Sequence, residues 1–361
     1  MESDNKLFLL DAYALIYRAY YAFIKNPRIN SKGFNTSAIL GFVNTLEEVL
    51  KKENPSHIGV AFDPSGPTFR HEAFEQYKAQ REETPEAIRT AVPIIKDIIR
   101  AYRIPILEVT GFEADDVIGT LATQAAAHGN LETYMMTPDK DYGQLVSENI
   151  FMYRPKHSGG FEVMGIEEIK AKFDIQSTEQ VIDMLGLMGD SSDNIPGCPG
   201  VGEKTAQKLV AEFGSIENLL AHTDRLKGAL KTKVEANREM IAFSKFLATI
   251  KVDVPIKLDM NTLVREEPNE EELRKIFEEL EFRTLIDRVL KKTGSPLPSS
   301  SSSASPDPYA GTLFAQPTDG TTSGKNAPVQ GDLFANFADN GTGDAKNSIL
   351  TRLEMLDVDY Q

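Results

Sequence analysis

Residues 104–136 read IPILEVTGFEADDVIGTLATQAAAHGNLETYMM. An apolar run, a helical pattern and a second apolar run follow one another, which is the order of a β-α-β unit. In the middle segment Ala114, Val117, Ile118, Leu121, Ala122 and Ala125 recur at helical spacing, as one buried stripe. Similar apolar runs stand at LFLL (7–10) and HIGVAF (57–62). Residues 1–165 therefore read as an α/β domain built on a parallel sheet.

In such a sheet, ligands gather beyond the carboxyl ends of the strands. Asp11 directly follows LFLL, Asp63 follows HIGVAF, and Asp139 and Asp141 come just after LETYMM. Glu113, Asp115 and Asp116 open the helix. Each acid alone has an ordinary explanation, as a turn residue or a complement to the helix dipole. Together they bring carboxylates from separate segments to one sheet edge. Downstream, MGDSSDNIPGCPGVGEKTA (188–206) adds Asp190 and Asp193, three residues apart and able to share a face of one turn. So many converging acids repel one another unless divalent cations are bound. Oxygen donors that leave room for water suit two Mg²⁺ or Mn²⁺ ions, and paired ions suit water attack on a phosphodiester. No serine or cysteine stands beside a plausible histidine base, so covalent catalysis is not supported.

The glycines of 188–206 are not a P-loop. Gly197 and Gly202 have the separation of G-x-x-x-x-G, but Glu203 intervenes and places Lys204-Thr205 one position late. The preceding VIDMLGLMGD also has helical rather than strand spacing. A metal site and a grip on a DNA backbone remain. Between the second and third apolar runs, Arg70, Tyr77, Lys78 and Arg81 are set among Phe69 and Phe74. On one helical segment, Lys78 and Arg81 would neutralise a scissile phosphate while Tyr77 stacks on a base. An ordinary amphipathic surface helix fits this pattern equally well.

The 361-residue chain carries a net charge of −15, much of it in the acid cluster, so any DNA-binding surface must be local. Its single cysteine, Cys198, excludes an intrachain disulfide and fits a reducing, cytoplasmic setting. Five histidines without a close pair argue against a zinc site. MESDNKLFLL lacks a signal-peptide pattern, and no apolar run is long enough to span a membrane. Residues 166–292 have mostly helical periodicity with charged faces. Residues 293–347, beginning GSPLPSSSSSASPDP at Gly294 after Thr293, read as a disordered linker. Residues 348–361 turn apolar again and read as the lead-in to a further domain, so the chain is expected to be a piece of a longer protein.

LFLLDAYALIYRAYYAF, AFDPSGPTFRHEAFEQYKAQR, GFEADDVIGTLA, TPDKDYGQLV and MGDSSDNIPGCPGVGEKTA together closely resemble the flap-endonuclease family. In particular they resemble the 5′→3′ exonuclease domain that opens bacterial polymerases of the DNA polymerase I family. The resemblance spans residues 6 to about 290 and implies a PIN-like parallel-sheet nuclease core with a helical arch at about 64–103. It implies that Asp11, Asp63, Glu113, Asp115, Asp116, Asp139, Asp141, Asp190 and Asp193 hold the metals, the last two the second ion. Asp116, Tyr77, Lys78 and Arg81 are then catalytic. Arg18, Arg70, Tyr77, Lys78 and Arg81 contact DNA, and the arch passes the 5′ end of the strand. At 197–206 the resemblance implies a helix-hairpin-helix-like turn with a K⁺ ion. There Gly200, Val201, Gly202, Lys204 and Thr205 contact the DNA backbone without reading sequence. Pro67 and Cys198 depart from the usual residue types outside the ligand set.

The implied substrates are 5′ flaps, nicks and RNA primers, and the implied downstream partners are covalently linked polymerase domains. Gln330, Leu333 and Phe334 resemble the Q-x-x-L-F peptide that binds the sliding clamp, although so short a motif also recurs by chance. Nothing in the pattern requires more than a monomer. Two other readings are a small-substrate phosphatase and a module that binds DNA junctions without cutting. The arch and the glycine turn argue against the first, and the complete acid set against the second.

Overall fold

The computed structural model describes residues 5–156 and 159–290. The linker (293–347), the lead-in (348–361) and the clamp-like residues Gln330, Leu333 and Phe334 lie outside these.

The chain opens with β1 (Lys6–Asp11), α1 (Ala12–Ala22), α2 (Ser37–Lys52), β2 (His57–Ala61), α3 (Phe69–Ala73), α4 (Glu86–Ala101) and β3 (Ile106–Leu107). Then come α5 (Ala114–Ala126), β4 (Glu132–Met136), a 3₁₀ turn (Lys140–Leu145), β5 (Ile150–Pro155) and β6 (Phe161–Met164). The strands form one sheet in the order β3-β2-β1-β4-β5-β6, parallel except for β6, which runs antiparallel to β5. Leu10 of β1 lies beside Val60 of β2 and Met136 of β4. The chain builds outward from β1 to one side and from β4 to the other. The crevice where that direction reverses is the place where open sheets bind ligands, and Asp11 and the 137–141 loop flank it.

Both faces of the sheet are covered, as parallel strands require. Side chains alternate along β1, so Leu7 and Leu9 join one core and Phe8 and Leu10 the other. The first core holds α5 and continues into the helices α6 (Ile166–Phe173), α7 (Gln180–Met188), α8 (Glu203–Phe213), α9 (Ile216–Ala221), α10 (Gly228–Ala236) and α11 (Arg238–Ala248). The second holds α1, α2 and α4. After α12 (Met260–Leu263), the helices α13 (Glu270–Glu279) and α14 (Arg283–Val289) return to that second face, through Leu273, Phe277 and Leu285. The described part of the expected helical region, residues 166–290, is mostly helical, and its last two helices pack on the second face of the sheet.

Two further expectations are corrected. The run IPILEV yields only a two-residue edge strand, because Pro105 has no N–H to add to the ladder. The arch does not extend to 103. Ile88, Ala91, Ile95, Ile98 and Ile99 put a buried stripe on α4, which makes it a core helix.

Candidate active site

Each acid of the expected cluster is set by the local fold. Asp11 ends β1 and caps α1, its Oδ1 accepting from Ala14 N at 3.1 Å. Its Oδ2 accepts from Thr137 Oγ1 (3.1 Å) and Tyr142 Oη (3.2 Å). Asp63, two residues past β2, accepts from Ala114 N at 2.8 Å, the first N–H of α5. Glu113 caps α5 and Asp115 sits in its first turn; with Asp116 they offer carboxylate oxygens all within 4.8 Å of one another. Asp139 accepts from Asp141 N at 3.0 Å, which closes the 3₁₀ turn and keeps both side chains beside β4.

Asp190 and Asp193 are held by a tight loop. Gly189 and Gly197 both have positive φ (72° and 61°), and a β-carbon on either would run into the backbone of the other strand of the loop. Asp190 and Ile195 exchange backbone hydrogen bonds across its neck (2.9 and 2.8 Å). Ser192 N donates to Asp190 Oδ1 at 2.8 Å.

The turn at 74–81 docks onto this loop. Lys78 N donates to Asp193 O at 3.0 Å and Asn194 Nδ2 to Gln76 O at 2.7 Å. Lys78 and Asn194 both adopt left-handed backbone, φ 56° and 57°, which costs energy for residues other than glycine and clusters at functional sites. Lys78 Nζ lies 2.5 Å from Glu113 Oε1 and 3.7 Å from Asp193 Oδ2, and Arg81 Nη2 lies 2.5 Å from Asp193 Oδ1.

Charge divides the acids into two groups. Burial alone would raise the carboxyl of Asp193, but Lys78 and Arg81 outweigh it and hold it low; Lys78 and Arg70 do the same for Glu113. Burial raises Asp11 to about 7, aided by Asp63 and Asp139 and opposed by the Ala14 N–H. Asp63, Asp115, Asp139 and Asp141 are also raised, first by burial. Neighbouring acids add to this, chiefly Asp116 for Asp115 and Asp139 for Asp141. Burial opposes ionisation of Lys78, yet Asp193 and Glu113 hold its ammonium protonated.

The residues fit divalent cations. Asp141 Oδ1 is buried without a hydrogen-bond partner, an orphaned acceptor of the kind that a hard cation satisfies. The raised acids around it lack enough positive charge to be ionised cheaply. At 197–206, Lys233 Nζ stands over Gly200, 2.5 Å from where a β-carbon would be.

Several expected DNA contacts are relocated. Arg70 is 1% exposed and spends its guanidinium on Glu113, Asp116 and backbone carbonyls, so it is not a surface contact. Asp116 is fully buried; Arg70 and two backbone N–H groups occupy both of its oxygens, so it is not an open metal donor. Tyr77, Lys78 and Arg81 sit in a turn, not a helix, and the Tyr77 ring is buried. Its hydroxyl donates to Glu113 Oε2 (2.9 Å) and Asp193 Oδ2 (3.2 Å), so stacking on a base has no support here. Val201 is buried and its N–H goes to Cys198 O at 2.9 Å. Gly202 caps α8, and Lys204 and Thr205 lie in its first turn, where Thr205 N donates to Gly202 O at 2.9 Å. Arg18 is half-buried on α1, with Nη2 donating to Lys156 O at 3.2 Å.

Sequence reasoning missed Lys140, whose Nζ lies 2.9 Å from Asp190 Oδ2 and so joins the 3₁₀ turn to the glycine loop. Its place between Asp139 and Asp141 was the available signal. Nothing in the local pattern marked Tyr142 or Thr137, which reach Asp11 only through the fold.

Two family models match consecutive parts of the chain. One, 5′-3′ exonuclease, N-terminal resolvase-like domain, covers residues 6–174; the other, 5′-3′ exonuclease, C-terminal SAM fold, covers 176–271. DNA polymerase I of Bacillus caldotenax is 40% identical over 288 residues, which is 79% of this chain and 32% of that protein. The chain thus spans about a third of the length of such relatives. Among solved structures, T5 5′-exonuclease with bound zinc superposes with a TM-score of 0.58 at 19% identity, over 77% of this chain and 98% of that one. The T5 D15 flap endonuclease in complex with DNA and metal ions gives 0.56 at 20% identity, over 76% and 99%. At that identity the two structures speak for the fold. With both family models placed end to end over the described fold, the chain belongs to the 5′-3′ exonuclease family.

Proposed function

We propose that the chain is a Mg²⁺- or Mn²⁺-dependent 5′ nuclease that removes 5′ flaps, nicked ends and RNA primers, within a protein of the DNA polymerase I kind. The observation that carries this reading is the crevice itself. Raised acids at the switch point of the sheet, one with an orphaned oxygen, face two cations on a turn whose backbone is held out of its relaxed conformation. The T5 neighbour's complex with DNA and metal ions supports the same reading.

Asp11, Asp63, Asp115, Asp139 and Asp141 are the residues with capacity for divalent ions, and Glu113, Asp190 and Asp193 border them. Divalent ions bound there supply Lewis-acid stabilisation of the phosphodiester and an acidified water. The chain's own groups do the rest. Lys78 and Arg81 are fixed beside Glu113 and Asp193 and direct positive charge at the position of a scissile phosphate, where preorganised charge is worth most. Tyr77 holds Glu113 and Asp193 in place through its hydroxyl. Thr137 and Tyr142 orient Asp11. Lys204 and Thr205 at the start of α8 hold the duplex backbone without reading bases. The clamp-like peptide at 330–334 belongs to this proposal as a tether to the replication machinery.

A 5′-flap duplex labelled at its 3′ end tests the reading. Cleavage at the junction in Mg²⁺ that EDTA abolishes is the expected result. Tight binding without cleavage in either Mg²⁺ or Mn²⁺ would leave the module that binds junctions without cutting.

A further inference from the structure

Arg70 is the largest fully buried side chain of the described residues, and it is a cation. Its five N–H donors make five hydrogen bonds. Nε reaches Leu247 O at 2.9 Å, Nη1 reaches Glu113 Oε2 and Asp116 Oδ2 at 2.8 Å each, and Nη2 reaches Asp116 Oδ1 and Thr249 O at 2.8 Å each. Asp116 is equally saturated. Besides its bidentate hold on Arg70, it accepts from Lys251 N (2.8 Å) and Glu113 N (3.1 Å). One fully desolvated pair thus binds the start of α3, the N-terminus of α5 and the end of α11.

The other contacts of α11 give this link a direction. Ser244, buried on α11 less than one turn before Leu247, accepts from Gly197 N at 2.9 Å. Gly197 is the hinge between the Asp190–Asp193 loop and the turn that leads into α8. Helix α7, which ends in that loop, lies so close to α11 that a β-carbon at Gly186 would stand 3.0 Å from the Lys245 Cα. The helix α11 is therefore a short bar, with the duplex-gripping turn at one contact and the α5 carboxylates at the next.

Apolar side chains of the same volume would stabilise such a site about as well as a buried ion pair. What the pair adds is direction: a guanidinium fork fixes its partners in distance and angle, as no apolar contact does. We propose that Arg70 is a positioning residue, acting through Asp116 and α11 to set the distance between the duplex grip and the metal-binding carboxylates. It thereby sets the nucleotide at which the strand is cut. The inference rests on the nuclease reading above and adds to it the determinant of cleavage register.

The test is product length, which a residue needed only for stability does not move. Arg70→Lys and Ser244→Ala loosen the two ends of the bar separately. Each is compared with the wild-type chain on a 3′-labelled 5′-flap duplex in Mg²⁺ at single-nucleotide resolution, with thermal unfolding run in parallel. The wild type is expected to give one dominant product. Folded variants are expected to add products displaced by one or more nucleotides, with the single-turnover rate of Arg70→Lys down about a hundredfold, the scale of a ~1 Å misplacement. If Arg70→Lys does not fold, Ser244→Ala decides alone. Unchanged product length in the folded variants, with only slower cleavage or lower stability, overturns the proposal. A wild-type chain that leaves the flap intact overturns the nuclease reading itself, a separate result visible in the control lane.

Discussion

Replacing Asp11 with asparagine should make the metal-free protein more stable at pH 8. Burial, with Asp63 and Asp139 beside it, raises this carboxyl to about 7. Ionising a carboxyl held there, against ~3.9 in an unfolded chain, costs the fold up to about 4 kcal/mol. The folded state keeps the proton where the unfolded state has already lost it. Stability therefore falls as the pH climbs from about 4 to 7, and the full cost is present above 7. Asparagine removes the charge and can keep the bond to Ala14 N, but it loses one acceptor facing Thr137 and Tyr142. The two buried hydrogen bonds lost there, at about 1 kcal/mol each, leave a net gain of roughly 2 kcal/mol at pH 8. Urea unfolding in EDTA at pH 5.5 and pH 8 measures it. The wild type should be more stable at the lower pH, and Asp11→Asn should flatten that difference. Mg²⁺ at pH 8 should then stabilise the wild type more than the variant. An Asp11→Asn protein no more stable than wild type at pH 8, with the pH difference intact, would refute the reasoning.

Removing Lys78 by substitution to alanine should lower single-turnover flap cleavage about 10²–10³-fold, the usual loss on removing a preorganised donor, with little change in the affinity for flap DNA. Gel-shift binding and quenched-flow cleavage on one substrate separate the two. Alanine at Gly189 combines a left-handed backbone with a clash against the Ile195 carbonyl, so it should destabilise by about 2–4 kcal/mol and displace Asp190 and Asp193. Urea midpoints and Mg²⁺-dependent cleavage should fall together; a Gly189→Ala protein of unchanged midpoint would show that the loop tolerates a β-carbon.

The parallel sheet was legible because β1, β2 and β4 are each dominated by a short apolar run, each with acids just beyond it, and both features are local. The short strands were not. Pro105 cuts β3 down to a remnant, and β5 and β6 pair with each other through a loop whose apolar content gives no strong alternation. The acid cluster was legible as a set, since strand ends in a parallel sheet converge. Which member does what was not. Asp115 and Asp116 are adjacent in sequence but are not equivalent: Asp116 is fully buried and bonded to Arg70 at 2.8 Å, whereas Asp115 is partly exposed and 3.8 Å from the same guanidinium. That pair closes over 46 residues and depends on carbonyls at the end of α11, so no local pattern announces it. Arg70 was expected to contact DNA because the resemblance implied it, while its setting among aromatics fitted an ordinary amphipathic helix equally well. Tyr77 was misplaced for a related reason: its spacing to Lys78 and Arg81 suits a helix, but docking onto the 190–195 loop holds the segment in a turn.

The most direct test of the metal-dependent nuclease is the rate of flap cleavage by the wild type and by Asp141→Asn across a Mg²⁺ titration. Asp141 is the right position because its Oδ1 is buried and unpartnered, whereas any change at Asp116 also strands the Arg70 charge. The expected result is junction cleavage by the wild type that saturates with Mg²⁺, and a loss of at least about a hundredfold in the variant, the low end for a preorganised electrostatic group. The variant should partly recover at high Mg²⁺. An Asp141→Asn protein that cleaves at the wild-type rate throughout the titration would contradict it.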